Sequence, residues 1–267
     1  MTSNMMTSDP GSLNKAAEEA NKEAAVQVTT IAPANTDVAL PGGFITAEGA
    51  LVKYAEVREL NGSDEEAIAR AGSTGKVLST MLQRGLVSIG NEKVGKDDLD
   101  RLLSGDRDAI LIGIRRVTFG DTVEYLFDCP SCKTALNVVV NLSTDIPSIE
   151  LEDPIDGRRF TYMSKRDGEI VVALPTGLTQ KKLLESDDKT RAELNTIVLA
   201  SCVLSINGTP SLGASAVLKL GMLDRENLID EIIKRNPGPR LGEVKTTCEA
   251  CSEVIPMPLS LADLFRL

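Results

Sequence analysis

The chain of 267 residues contains no histidine and no tryptophan, and aromatic residues make up only 3% of it. Without histidine there is no Ser-His-Asp or Cys-His catalytic pair, no H-E-x-x-H metalloprotease and no catalytic zinc held by imidazole. No apolar run approaches the length of a bilayer span; the longest, Ala109 to Ile114 and Ile197 to Ile206, read as core helix faces. The first residues lack the basic and apolar regions of a signal peptide, so a soluble protein is expected. A net charge of −10, from 29 basic and 39 acidic residues, argues against a broad nucleic-acid surface, because phosphate neutralisation supplies most of such affinity.

Cysteine is scarce but patterned. Four of the five are two Cys-x-x-Cys pairs, Cys129/Cys132 in FDCPSCK and Cys248/Cys251 in TTCEACSE, about 115 residues apart. Each pair interrupts a β-prone run, Val123–Phe127 and Leu136–Val140 around the first, Gly242–Lys245 and Val254–Met257 around the second. Two such knuckles on two hairpins supply four soft sulfur ligands, and the expectation is one structural zinc in a zinc ribbon, with rubredoxin-like iron as the alternative. A thioredoxin-type redox pair needs a Cys at a helix N-terminus, which neither context provides. The fifth, Cys202, lies in the apolar run Leu194–Leu204 and reads as a small buried hydrophobe.

Residues 1–38, rich in Ser, Asn, Thr, Ala and Glu, are expected to form a disordered arm. Pro41-Gly-Gly reads as a break, Leu51–Leu60 as a strand, and Ser63 three residues before Glu66 as a capping box starting a helix near Asp64. Further helices are expected from about Val77 to Gly85 and on both sides of a break at Ser104-Gly105. The fold class is thus α+β. A mainly helical segment (39–122) precedes zinc-ribbon hairpins closed by sequence-distant segments (123–145 plus 240–267). Between them lies an inserted α+β subdomain (146–239), which has to leave and re-enter at nearly the same place.

Weaker motifs receive plain structural readings. Asp106 and Asp108 in Gly-Asp-Arg-Asp suit a helix start and are expected to be dispensable. Glu150, Glu152, Asp153 and Asp156 lack the EF-hand order and read as a solvated loop. Gly72-Ser-Thr-Gly-Lys76 lacks the phosphate-loop spacing.

The run Leu103–Cys132, with Val57–Glu66 before it, resembles the baseplate hub proteins of tailed phages, the family built on the T-even base plate protein. The resemblance implies a non-enzymatic tail-tip or baseplate component, assembled in the host cytoplasm and carried in the virion. Its partners would be other tail proteins in a symmetric or homo-oligomeric assembly, with no nucleic acid, membrane span or small-molecule substrate. The alternatives are a tail assembly chaperone absent from the finished particle and a cellular zinc-ribbon module.

Overall fold

A computed structural model describes residues 36–95, 97–186, 188–257 and 259–265. The expected arm lies outside these residues except at its end, where Asp37 and Val38 begin the first strand. The first unit contains β1 (Asp37–Ile45), β2 (Leu51–Val57), α1 (Gly62–Ala69), α2 (Thr74–Gly85), β3 (Leu86–Ile89), β4 (Glu92–Lys93), α3 (Asp98–Arg101) and α4 (Ser104–Phe119). Its strands form one antiparallel sheet in the order β1-β2-β3-β4. A hairpin follows, β5 (Thr122–Asp128) and β6 (Ala135–Asn141), then the short β7 (Ser148–Ile149).

The segment after β7 repeats that plan. It runs β8 (Arg159–Ser164), β9 (Gly168–Ala173), α5 (Gly177–Leu184), α6 (Arg191–Cys202), β10 (Val203–Ile206), β11 (Thr209–Pro210), α7 (Ala214–Val217) and α8 (Met222–Arg235). The sheet order β8-β9-β10-β11 copies the first sheet strand for strand. The short β12 (Gly238–Pro239), a second hairpin, β13 (Lys245–Thr247) and β14 (Val254–Pro256), and α9 (Leu261–Leu264) complete the chain. The segment from β8 to α8 therefore repeats the element order of the one from β1 to α4, each followed by one cysteine hairpin.

The correspondence extends to residues. α1 and α5 both have 8 residues, and α2 and α6 both have 12. Both sheets carry a bulge at the same place: the β2–β3 register skips Val87 and the β9–β10 register skips Leu204. An extra residue there bends the strand away from its neighbour. Ile170 and Val172 pair as Ala55 and Val57 do, and Leu228, Ile229 and Ile232 of α8 match Ile110, Leu111 and Ile114 of α4. All of these are buried. Each unit has an apolar core between one sheet face and its helices, the first completed by Val123 and Leu142 of the hairpin and by Leu264 and Phe265 around α9. Gly85 and Cys202 end the matching helices α2 and α6: a Cβ on Gly85 would lie 2.6 Å from Ile114 Cδ1, whereas Cys202 fills its space. Burial pushes the Cys202 thiol up to about 12, as suits an inert hydrophobe.

The Asp-Arg pair early in α4, Asp106-Arg107, recurs early in α8 as Asp224-Arg225. Arg107 Nη1 donates to the carbonyl of Leu99 (3.2 Å) and Arg225 Nη1 to that of Val217 (3.0 Å), the same short helix in each unit. Each aspartate ties its helix to the first strand of its own unit: Asp106 accepts from Gly42 N–H at 2.7 Å, and Asp224 from Tyr162 and Ser164 hydroxyls at 2.9 and 2.8 Å. Asp106 stands in the first turn of α4, the helix-start place expected from sequence, but it is not a solvated acid. It is fully buried, and desolvation pushes its carboxyl up to about 7 against the opposing pull of the Gly42 N–H and Arg158. Desolvation likewise pushes the half-buried Asp108 up to about 6, although Gln180 donates to it at 2.6 Å.

The second unit leaves and returns through a clasp, because β7 and β12 pair with each other, Ile149 opposite Gly238 and Ser148 opposite Pro239. Gly105 makes that clasp possible: its helix backbone lies against Pro237 and Gly238 so closely that a Cβ would sit 1.6 Å from the Pro237 carbonyl oxygen. Ser104 N–H donates to Pro175 O at 2.9 Å and Gly177 N–H to Leu102 O at 2.8 Å, so the start of α4 is covered by the second unit. Arg158 of that unit donates to the carbonyls of Gly42 and Gly43; Pro41-Gly-Gly lies within β1 but breaks its pairing with β2, whose register shifts between Ala39 and Phe44.

The start of α1 departs from expectation by two residues. Asn61 is its cap, accepting from the N–H groups of Ser63 and Asp64, while Asp64 accepts from Asn61 N–H. The Arg58 guanidinium also binds Asp64 and holds its carboxyl below the usual range. A buried Asp with an Arg partner outcompetes the Ser63/Glu66 alternative, which would leave Asp64 unpaired.

Candidate metal centre

β5 and β6 pair without interruption from Thr122 opposite Asn141 to Asp128 opposite Ala135, delivering Cys129 to the tip. There Cys129 N–H donates to Thr134 O at 2.9 Å and Lys133 N–H to Cys129 O at 3.0 Å. The shorter β13–β14 pair ends in the same loop: Cys248 N–H donates to Glu253 O at 2.9 Å and Ser252 N–H to Cys248 O at 2.8 Å. Lys133 and Ser252, each just after the second cysteine, are left-handed at φ 60° and 61°. That conformation costs a side-chain-bearing residue on the order of 1 kcal/mol, and both tips hold it at the same position.

The two tips face each other. Cys129 Sγ lies 3.7 Å from Cys251 Sγ, Cys132 Sγ lies 3.7 Å from Cys248 Sγ, and all four sulfurs lie within 4.8 Å of one another. A tetrahedron with metal–sulfur bonds of about 2.3 Å has edges of about 3.8 Å, so the spacing fits a zinc-sized ion. The inner pair, Cys129 and Cys248, is fully buried against Ile255, with Phe127 and Leu136 alongside; the outer pair, Cys132 and Cys251, is exposed. Beneath, Val140 of the first hairpin and Met257 and Leu259 after the second share one apolar cluster with Val244. Strand pairing holds each tip and the shared core holds the tips together.

Charge explains why such a cluster calls for a cation. Hydrogen bonding with the Thr134 hydroxyl and N–H lowers the Cys132 thiol to about 6. The matching backbone N–H at Glu253 also favours a thiolate on Cys251, but the neighbouring sulfurs, Cys132 first, outweigh it and push that thiol up to about 12. Four sulfurs this close would repel one another if all were ionised, and a divalent ion would remove that repulsion. Four sulfurs fill a tetrahedral shell and leave no position open for a substrate. Neither pair stands at a helix N-terminus, the setting a redox dithiol requires.

Among the described residues these four form the one cluster of three or more metal-ligating side chains. The acidic loop does other work: Asp153 accepts from the N–H groups of Ile155 and Asp156, both at 2.9 Å, within the exposed turn. Gly75 of the Gly72–Lys76 stretch packs on Leu184, where a Cβ would meet the Leu184 Cβ at 2.5 Å, so this glycine serves packing between the units. No described helix is long and apolar enough to cross a membrane.

The family model described as T4 bacteriophage base plate protein matches residues 56–213, more than half of the chain. The chain belongs to this baseplate family. The family match begins in β2, takes in Cys129 and Cys132, and ends just after β11, so it spans most of both units and leaves Cys248 and Cys251 beyond it. Neither curated proteins nor solved structures include a match to this baseplate-family chain.

Proposed function

We propose that this chain is a non-enzymatic, hub-type structural part of a phage tail tip or baseplate, its two units locked together by one zinc on Cys129, Cys132, Cys248 and Cys251. Membership of the baseplate family carries the first half of this reading, and four sulfurs within 4.8 Å carry the second. The zinc supplies a rigid cross-link between hairpins and no reactive position. Residues 123–145 and 240–267 make up the ribbon module in this reading, and its partners are other tail proteins in the virion.

A subunit of a symmetric assembly works through rigid repeated surfaces. Two matching units, each with its own core and joined at a clasp and a metal, suit that task. Deletion of the gene is expected to leave heads intact and tails absent or defective by electron microscopy, with the protein present in wild-type particles by mass spectrometry. Normal tails in the deletion strain, or particles that lack the protein, would overturn the reading; the second outcome would make it an assembly factor.

A further inference from the structure

The start of α4 in the first unit is covered by the second unit, at the start of α5 and at the end of α8, through Ser104–Pro175, Leu102–Gly177 and Gly105–Pro237 contacts. The same face on the second unit is the start of α8. Aligned on the Asp-Arg pairs, Met222 and Leu223 stand where Ser104 and Gly105 stand. Met222 is 89% and Leu223 69% exposed, with Leu212 and Leu218 exposed nearby in sequence. Four large apolar side chains within twelve positions are an uncommon outlay on a free surface.

The surface that covers such a face also has a free counterpart. On the first unit, the start of α1 and the end of α4 match the start of α5 and the end of α8. Gly177 is crowded, its Cβ position 2.0 Å from Leu99 O, whereas among the described residues nothing lies within 4 Å of the matching Gly62. At the position of Pro237 the first unit has Phe119, 61% exposed, its ring held by Arg115 at 4.9 Å.

We propose that a second copy of this chain docks head to tail, its Gly62–Phe119 corner on the Met222–Leu223 face, at the positions that meet between the two units but with the apolar side chains of Met222, Leu223 and Phe119 in place of the close Gly105–Pro237 backbone approach. One head and one tail per chain, each without a partner among the described residues, make the contact heterologous, so it propagates into a ring if the rotation closes and into a filament if it does not. The inference rests on the packing between the units and gives the symmetric assembly of the proposed function a specific contact. It does not depend on the metal.

Sedimentation velocity of the zinc-loaded full chain tests it, with Met222→Glu/Leu223→Glu as the head-blocked variant and Phe119→Glu as the tail-blocked one. Wild type is expected to associate with rising concentration, and each variant to need at least about tenfold more protein for the same degree. An equimolar mixture of the two variants should stop at a 1:1 dimer, because one intact head meets one intact tail. Met222→Glu and Leu223→Glu made singly, both at exposed positions, provide further head variants should the double change disturb folding. A wild type monomeric up to about 1 mM, variants that associate as wild type does, or a mixture without dimers would overturn the proposal. Zinc content of the same samples reports separately on the metal reading.

Discussion

Gly105→Ala measures how tightly the clasp binds the two units. In a helix, alanine is favoured over glycine by about 1 kcal/mol, so the exchange would stabilise an unobstructed site. Here the new Cβ would sit 1.6 Å from the Pro237 carbonyl oxygen and 2.7 Å from its carbon, both backbone atoms without a side chain's freedom to turn. The Pro237–Gly238 strand has to retreat by well over an ångström, which strains or breaks the β7–β12 pair and opens the core-facing contact. Overpacking costs about 1–3 kcal/mol and each lost backbone hydrogen bond about 1 kcal/mol, so the net loss should be about 2–4 kcal/mol. At about 2–4 °C per kcal/mol for a chain of this size, Tm falls by roughly 5–15 °C. Gly62→Ala is the control, since no described residue lies within 4 Å of its Cβ position; it should be neutral or raise Tm slightly. Thermal melts of dilute, zinc-loaded protein decide the matter. A Gly105→Ala variant as stable as the Gly62→Ala one would refute the clasp.

Three further outcomes are expected. Cys129→Ser and Cys248→Ser should each release the metal and lower Tm by similar amounts, and the double variant should add little, because both sulfurs serve one ion; additive losses with half the metal retained would mean two separate ions. Asp106 and Asp108, raised to about 7 and about 6 from an ordinary 3.8, hold protons in the folded state that the unfolded chain releases. Their contribution is complete below about pH 4 and is lost as pH rises towards 7, so the Tm difference between Asp106→Asn and wild type should grow in favour of the variant between about pH 4.5 and 8; a difference that stays constant would contradict the buried acid. Arg225→Met removes donors to Val217 O, Ala192 O and the Thr196 hydroxyl and should cost about 2 kcal/mol in denaturant unfolding, whereas an unchanged midpoint would show that this arginine does not hold α7 and α6 together.

The four-cysteine cluster was legible in the sequence, because Cys-x-x-Cys between β-prone runs encodes a tight tip directly. The α+β class and most helices were legible for the same local reason. The repeat was not, although its trace is present in Asp106-Arg107 and Asp224-Arg225 and in the matched spacing of both cysteine pairs. The two units preserve which positions are buried, not which residues fill them: Ala55 answers to Ile170 and Gly85 to Cys202. Core packing tolerates such exchanges when the surroundings adjust, so sequence identity fades while topology persists. The short strands β3 and β10 were also hidden, each running straight on from a helix without a turn residue between them. The burial of Asp106 was hidden because a carboxylate near a helix start is ordinarily solvated, and its partners Gly42 and Arg158 are distant in sequence.

The most direct test of the account is the metal itself, in full-length protein purified without added ions. Elemental analysis should find zinc near one equivalent per chain, and X-ray absorption should show four sulfur neighbours at about 2.3 Å and no nitrogen or oxygen. Iron at that site, a mixed ligand shell, or a metal-free protein that melts no lower than the zinc-loaded one would contradict it.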